Sequence, residues 1–118
     1  MNHDLVRSVV KDLEYFYVRT PDELPFFAAN PEVISLLHHE PLLIISRGEK
    51  PGGGYGFELI GTEIRSDHLM IELISSDPKP GSVNILMLTY PFVYVRTYQA
   101  KTFSLIVNGE LLLKERRL

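Results

Sequence analysis

The chain has 118 residues, 45% hydrophobic and 23% charged, a balance that suits one globular domain closing its core without disulfides or metal. Twelve Lys and Arg against fifteen Asp and Glu leave a formal charge of -3, which argues against a phosphate backbone, so nucleic acid is not an expected partner. Without cysteine there is no thiol catalysis, no disulfide and no thiolate metal site.

In the first segment Leu5, Val6, Val9, Val10 and Leu13 recur at helical spacing, and an amphipathic helix is predicted from Leu5 to Leu13. Its charges leave no apolar run of the length a signal peptide needs, and no window approaches a membrane span. A soluble, cytoplasmic chain without membrane contact is expected. Tyr15 to Thr20 is aromatic and β-branched and suits a short strand. Thr20-Pro21-Asp22-Glu23 follows with a capping hydroxyl, proline at the first helical position and a glutamate able to reach back. Asn30-Pro31-Glu32 repeats the signal, so two short helical turns are predicted, the second closed by His38-His39-Glu40 before Pro41.

From Leu42 onward the pattern is β. Leu42-Leu43-Ile44-Ile45 reads as a central strand covered on both faces, with the preceding helices as one cover. A loop with three consecutive glycines, Gly52 to Gly54, then leads into Tyr55, Phe57 and Leu59, where positive φ is expected in the glycine run and a bulge near Gly61. A hairpin at Ser66-Asp67 pairs this strand with Leu69, Ile71 and Leu73. Ser75 to Ser82 reads as an exposed loop, Val83 to Tyr90 as a strand stopped by Pro91, and Phe92 to Tyr98 as the next strand. Tyr90, Phe92, Tyr94 and Tyr98 share one parity and form one aromatic stripe if that segment is straight, with core packing set against a protein-binding surface. Asn108-Gly109 predicts a type I′ hairpin with Leu105 opposite Leu112 and Ile106 opposite Leu111; its second apolar face calls for the N-terminal helix or a second subunit.

The fold class expected is α+β: a mainly antiparallel β-sandwich or curled sheet with the N-terminal helices on one side. It forms one domain, helical over 1–41 and β-rich over 42–118. Candidate chemistry is sparse. The glycine run lacks the helix that follows a dinucleotide fingerprint and the Gly-Lys-Ser/Thr of a P-loop. His38 and His39 point about 100° apart on a helix and cannot easily share an ion. His68 has only Asp67 beside it, and no Gly-x-Ser-x-Gly is present. No enzyme activity, metal or cofactor is expected.

The run Leu-Leu-Ile-Ile-Ser-Arg-Gly-Glu-Lys-Pro-Gly-Gly-Gly-Tyr, then Asp-Pro-Lys-Pro-Gly, then Leu-Thr-Tyr-Pro-Phe-Val resembles the C-terminal domain family of the protease complex subunit PrcB. That family is marked by a strand, Gly-x-x-Pro-[Ser/Thr]-Gly-Gly-Tyr, a hairpin, a Pro-x-Pro-Gly turn and a Tyr-Pro or Thr-Pro corner. The matching positions are Gly48, Pro51, Gly53, Gly54, Tyr55, Pro78, Pro80, Gly81, Tyr90 and Pro91, with Gly52 where the family more often has a hydroxyl residue. The resemblance implies a non-catalytic, protein-binding subunit of a bacterial protease complex, in a family whose members are often exported. Together with Lys50, which opens the glycine loop, Pro51, Gly53, Gly54, Tyr55, Pro78, Pro80, Gly81, Tyr90 and Pro91 are the candidate partner-binding residues. The partner is a protein, with a peptidase as the candidate, and a homo-oligomer through the C-terminal hairpin is a further option.

A second likeness is to chagasin-type cysteine peptidase inhibitors, whose three loops plug a papain-like cleft. Lys50 to Tyr55, Pro78 to Ser82 and Thr89 to Phe92 follow the same order, with Tyr90 in place of an Arg and Phe92 in place of a Trp. Such a wedge needs all three loops at one edge. Simple back-and-forth strands would put Tyr90-Pro91 at the end opposite the other two; a crossing between sheets after Ser75 would bring them together, and convergence is the expectation adopted.

Overall fold

The computed structural model describes residues 6–7, 13–79, 81 and 87–118. The strands are β1 (Val6–Arg7), β2 (Glu14–Val18), β3 (Leu42–Ser46), β4 (Gly56–Arg65), β5 (His68–Asp77), β6 (Phe92–Arg96), β7 (Thr102–Val107) and β8 (Glu110–Arg117). Helix α1 spans Pro31–Leu37, preceded by 3-10 turns at Pro21–Glu23 and Phe26–Ala28. Two sheets form an α+β sandwich. One has the order β2-β3-β6; in the other β5 lies between β4 and β7, β8 flanks β7, and β1 pairs with the end of β5. Among the described residues every pairing is antiparallel except that of β5 with β7.

β3 is buried along its whole length because each of its faces has a cover. Leu43 and Ile45 point to the second sheet and meet Leu69, Ile71, Leu73, Phe103 and Leu105. Leu42 and Ile44 point the other way, to Val18, Ala28, Val33 and Leu37 beneath the helical segment. A continuous apolar run is what such a two-faced position requires. The helical cover is set by its caps. Glu23 Oε1 accepts from the backbone N–H groups of Arg19 (2.8 Å) and Thr20 (3.1 Å), and Asn30 Oδ1 accepts from Val33 N at 2.9 Å.

The far end of this cover is fastened to β6 by a forked ion pair, with Arg96 Nε donating to Glu40 Oε1 at 2.9 Å and Nη2 to Oε2 at 2.6 Å. The Arg96 hydrogen bond holds the Glu40 carboxyl below its ordinary value of 4.5. A depressed carboxylate stabilises the fold above its unfolded pKa, and that contribution is lost as pH falls through the folded value. Because Arg96 is half exposed, solvent screening keeps the effect small. Glu40→Gln is therefore expected to leave a flatter decline of thermal stability below about pH 4.5 than the unaltered chain shows.

Several boundaries differ from the sequence reading. The helix predicted from Leu5 to Leu13 falls mostly outside the described residues; within it Val6–Arg7 is a strand, paired with Asp77 and Ser76 of β5. β5 continues through Ser75, Ser76 and Asp77, so the loop predicted from Ser75 starts only at Pro78; Ser75 is buried and its N–H is taken by Asn108 Oδ1 at 3.0 Å. Of the strand predicted over 83–90, residues 83–86 lie outside the described residues, and 87–90 contain only a single bridge at Thr89. β6 ends at Arg96, two residues early, because Tyr98 and Gln99 take φ of 50° and 63° and turn the chain.

The bulge expected near Gly61 is present: Leu59 pairs with Leu73 and Gly61 with Glu72, leaving Ile60 as the extra residue. Asn108 and Gly109 take φ of 52° and 80°, as a type I′ turn demands. Ile106 faces Leu111 as predicted, but Leu105 faces Leu113 rather than Leu112, since the ladder slips by one residue between these pairs. No helix among the described residues is long and apolar enough to cross a membrane.

Candidate functional site: a clasped loop cluster

β3 and β6 are antiparallel with Ser46 opposite Phe92, and β4 and β5 are antiparallel with Gly56 opposite Ser76. Consequently the segments leaving β3, entering β4, leaving β5 and entering β6 all lie at one end of the sandwich. The chain reaches the start of β6 by crossing from one sheet to the other after Asp77, which is why Tyr90-Pro91 joins the glycine loop instead of standing opposite it.

Arg47 holds this end together. It is 5% exposed, yet its guanidinium donates to Gly56 O (3.1 Å) and Ser76 O (2.8 Å) and pairs with the Asp77 carboxylate. One side chain from the end of β3 thus ties the beginning of β4 to the end of β5. Its N–H binds Pro91 O at 3.0 Å, which adds the fourth segment. Its planar charge also lies 5.5 Å from the centre of the Tyr55 ring, with Lys50 Nζ at 5.8 Å from the same ring.

The glycine loop is fastened to the Tyr-Pro corner by backbone pairing. Lys50 N donates to Thr89 O at 2.8 Å, Thr89 N to Lys50 O at 2.9 Å, and Thr89 Oγ1 to Gly52 O at 2.8 Å. Tyr90 Oη donates to Glu49 Oε1 at 2.7 Å, and that bond raises the phenol above its usual value. Positive φ does not fall on Gly52 to Gly54, as the glycine run suggested, but on Gly48 (75°), where the chain leaves β3. A Cβ built on Gly53 would meet nothing within 4 Å, so this position needs no glycine for its own fold.

Of the candidate residues, Lys50, Pro51, Gly53, Gly54 and Tyr55 therefore lie beside Tyr90 and Pro91. Pro78 follows directly on Asp77, Gly81 takes φ of 81°, and Pro80 lies outside the described residues. Tyr90, Phe92 and Tyr94 share a face and pack toward the helical cover, whereas Tyr98 stands in the turn beyond β6 and leaves the stripe.

Four contributors escaped sequence reasoning: Arg47, Asp77, Phe26 and Phe27. Phe27 stacks on Tyr90 with centroids 5.6 Å apart and planes 2° from parallel, and Phe26 meets Tyr90 edge-on at 4.8 Å. Phe26 is 73% exposed, and Met87 and Leu88 are exposed as well. The only available signal for Arg47 was its position, a cation directly after a fully apolar strand.

Away from this end, His68 Nδ1 lies 2.7 Å from Thr102 Oγ1 and its Nε2 2.9 Å from Ser104 Oγ, which also accepts from Glu115 N at 3.0 Å. Both imidazole nitrogens are thus engaged by hydroxyls, and Ser104 is buried.

No curated protein and no solved structure matches the chain. The family model described as PrcB C-terminal matches residues 42–98, a stretch that begins with β3 and contains the Arg47 clasp, the glycine loop and the Tyr-Pro corner. Over residues 42–98 the chain is therefore similar to the PrcB C-terminal family.

Proposed function

We propose that this chain is a non-catalytic, protein-binding accessory domain that docks a protease-associated partner through the clasped loop end. The observation that carries the reading is that three separated segments, each bearing motif residues of the family, are fastened side by side by Arg47 and the Lys50–Thr89 bridge. A rigid cluster of loops with an exposed aromatic beside it suits recognition, because the cost of ordering it has already been met in folding.

The test pairs capture with stability. Gly53→Val is expected to change the unfolding free energy by less than about 0.5 kcal/mol, since the new side chain enters open space at a φ that L residues adopt. The same change is expected to abolish capture of the partner that the unaltered chain retains from its native host, because the added bulk stands where a partner backbone would approach. A variant that still captures the partner as well as the parent would remove the loop end from the binding surface.

The convergence also favours a second reading, inhibition of a papain-like peptidase by the three-loop edge. Titration of the chain into such a peptidase should then give a stoichiometric loss of turnover; undiminished turnover at excess would dismiss this reading and leave the accessory role intact.

A further inference from the structure

The helical segment covers only the β2-β3-β6 sheet, and the two sheets share their inner faces. The outer face of the β4-β5-β7-β8 sheet is left without a cover among the described residues. Because Leu69, Ile71 and Leu73 point inward, Met70, Glu72 and Ile74 point outward, and the register places Ile106 and Leu111 beside them. Ile60, pushed out by the bulge, is 51% exposed and Leu111 is 52% exposed. These five large aliphatic side chains, three of them exposed and two half-buried, share one open face, the kind of patch that marks an interaction surface.

We propose that this face is the contact surface between two copies of this chain. Its dimensions fit. β4 and β5 have ten residues each, β7 six and β8 eight; at ~3.3 Å per residue and ~4.8 Å between strands they give a projected area on the order of 500 Å², which side-chain relief brings toward the ~800 Å² per partner of a standard interface. Its charges fit as well. The β4 and β5 half carries Glu58, Glu63 and Glu72 with Arg65, which binds Glu63 Oε1 at 3.0 Å through exposed side chains, and the β8 half carries Lys114 and Arg117 with Glu115.

A two-fold axis lying in the interface and running along the strands lays β4 of one copy over β8 of the other. Glu63, Met70 and Ser104 stand in one row across the sheet, and Lys114 lines the same shallow cleft of about 390 Å³. The rotation therefore sets Glu63 against the partner's Lys114, and Ile60 near the partner's Leu111. Acid meets base and apolar meets apolar, which the alternative rotation, β4 over β4, does not achieve for the Glu63 row.

Sedimentation of the full chain over a concentration series is the test. The unaltered protein is expected to show a monomer–dimer equilibrium. Leu111→Glu should leave a monomer of unchanged thermal stability, since the side chain it replaces is half exposed. Glu63→Lys should weaken the dimer about tenfold or more through like-charge contact, and adding Lys114→Glu to it should restore most of the loss. A parent chain that stays monomeric throughout the series, as it would if another protein covers this face, overturns the proposal. So does a dimer that survives Leu111→Glu, or a double charge exchange no tighter than Glu63→Lys alone.

Discussion

Replacing Arg47 by Met is expected to destabilise the fold by about 3 kcal/mol, read as a fall in the urea midpoint with little change in slope. The side chain is almost wholly buried and serves three acceptors: Gly56 O, Ser76 O and the Asp77 carboxylate. Methionine fills most of the aliphatic volume, so the loss is electrostatic: two half-buried carbonyls and a carboxylate lose a charged donor. Hydrogen bonds to charged groups contribute roughly 1.5–3 kcal/mol each, but the sum is not reached here. Asp77 is 31% exposed and can recover water, and Arg47 Nε is buried with no partner, a cost already present in the native state. Arg47→Lys keeps the charge but not the fork, and should fall between the two, at about 1–2 kcal/mol. Because the clasp joins the ends of β3, β4 and β5, both variants should also lose partner capture. A loss under about 1 kcal/mol for the methionine variant would mean that the loops hold together without the clasp.

The elements that the sequence made legible are those whose signals are local. Asn30-Pro31 fixed the start of α1, Asn108-Gly109 the last hairpin, and the unbroken run Leu42 to Ile45 announced a strand with two covers. The parallel pairing of β5 with β7 was not legible, because it joins strands separated by a crossing through the other sheet, and no dipeptide encodes that. It is fixed instead by contacts distant in sequence, such as Asn108 N to Leu73 O at 3.0 Å and Asn108 Oδ1 to Ser75 N. The same contacts explain why Ser75, a turn former by composition, is buried within a strand. Helical spacing among the first residues was outweighed at Val6–Arg7 by pairing with the end of β5.

The candidate site divides in the same way. Glycine and proline motifs marked where the chain turns, and hence which loops existed. They did not reveal what holds the loops together, since an arginine after an apolar strand has the same composition whether it is solvated or buried. Nor did they show which glycine carries the strained conformation: Gly48, before the run, takes φ of 75°. The triple glycine drew attention to itself, while Gly53 has open space around it. The fold therefore places no demand for glycine at position 53.

Phe27→Ala and Phe26→Ala should separate support of the site from contact with the partner. Phe27 is half-buried and touches four rings: Phe16 at 6.4 Å, Phe26 at 5.5 Å, Tyr90 at 5.6 Å and Phe92 at 5.6 Å between centroids. Fully buried Phe→Ala changes cost about 3–5 kcal/mol; partial exposure brings the expected loss here to about 2–3 kcal/mol. Removing it also takes away the stacked platform beneath Tyr90, whose hydroxyl fixes Glu49. The Tyr-Pro corner should loosen, seen as faster amide exchange at Thr89 and Lys50, and partner capture should fall as a secondary effect. Phe26 is the opposite case. Its ring is 73% exposed and meets only the edges of its neighbours, so truncation should cost under about 0.5 kcal/mol and leave the exchange of Thr89 unaltered. A large exposed aromatic that adds so little to the fold is the kind of side chain that anchors an interface, and its removal should weaken partner binding by at least about 2 kcal/mol. Equal partner affinity in Phe26→Ala and the parent, beside a destabilised Phe27→Ala, would place the contact surface elsewhere on the loop end and reduce Phe26 to a rim residue.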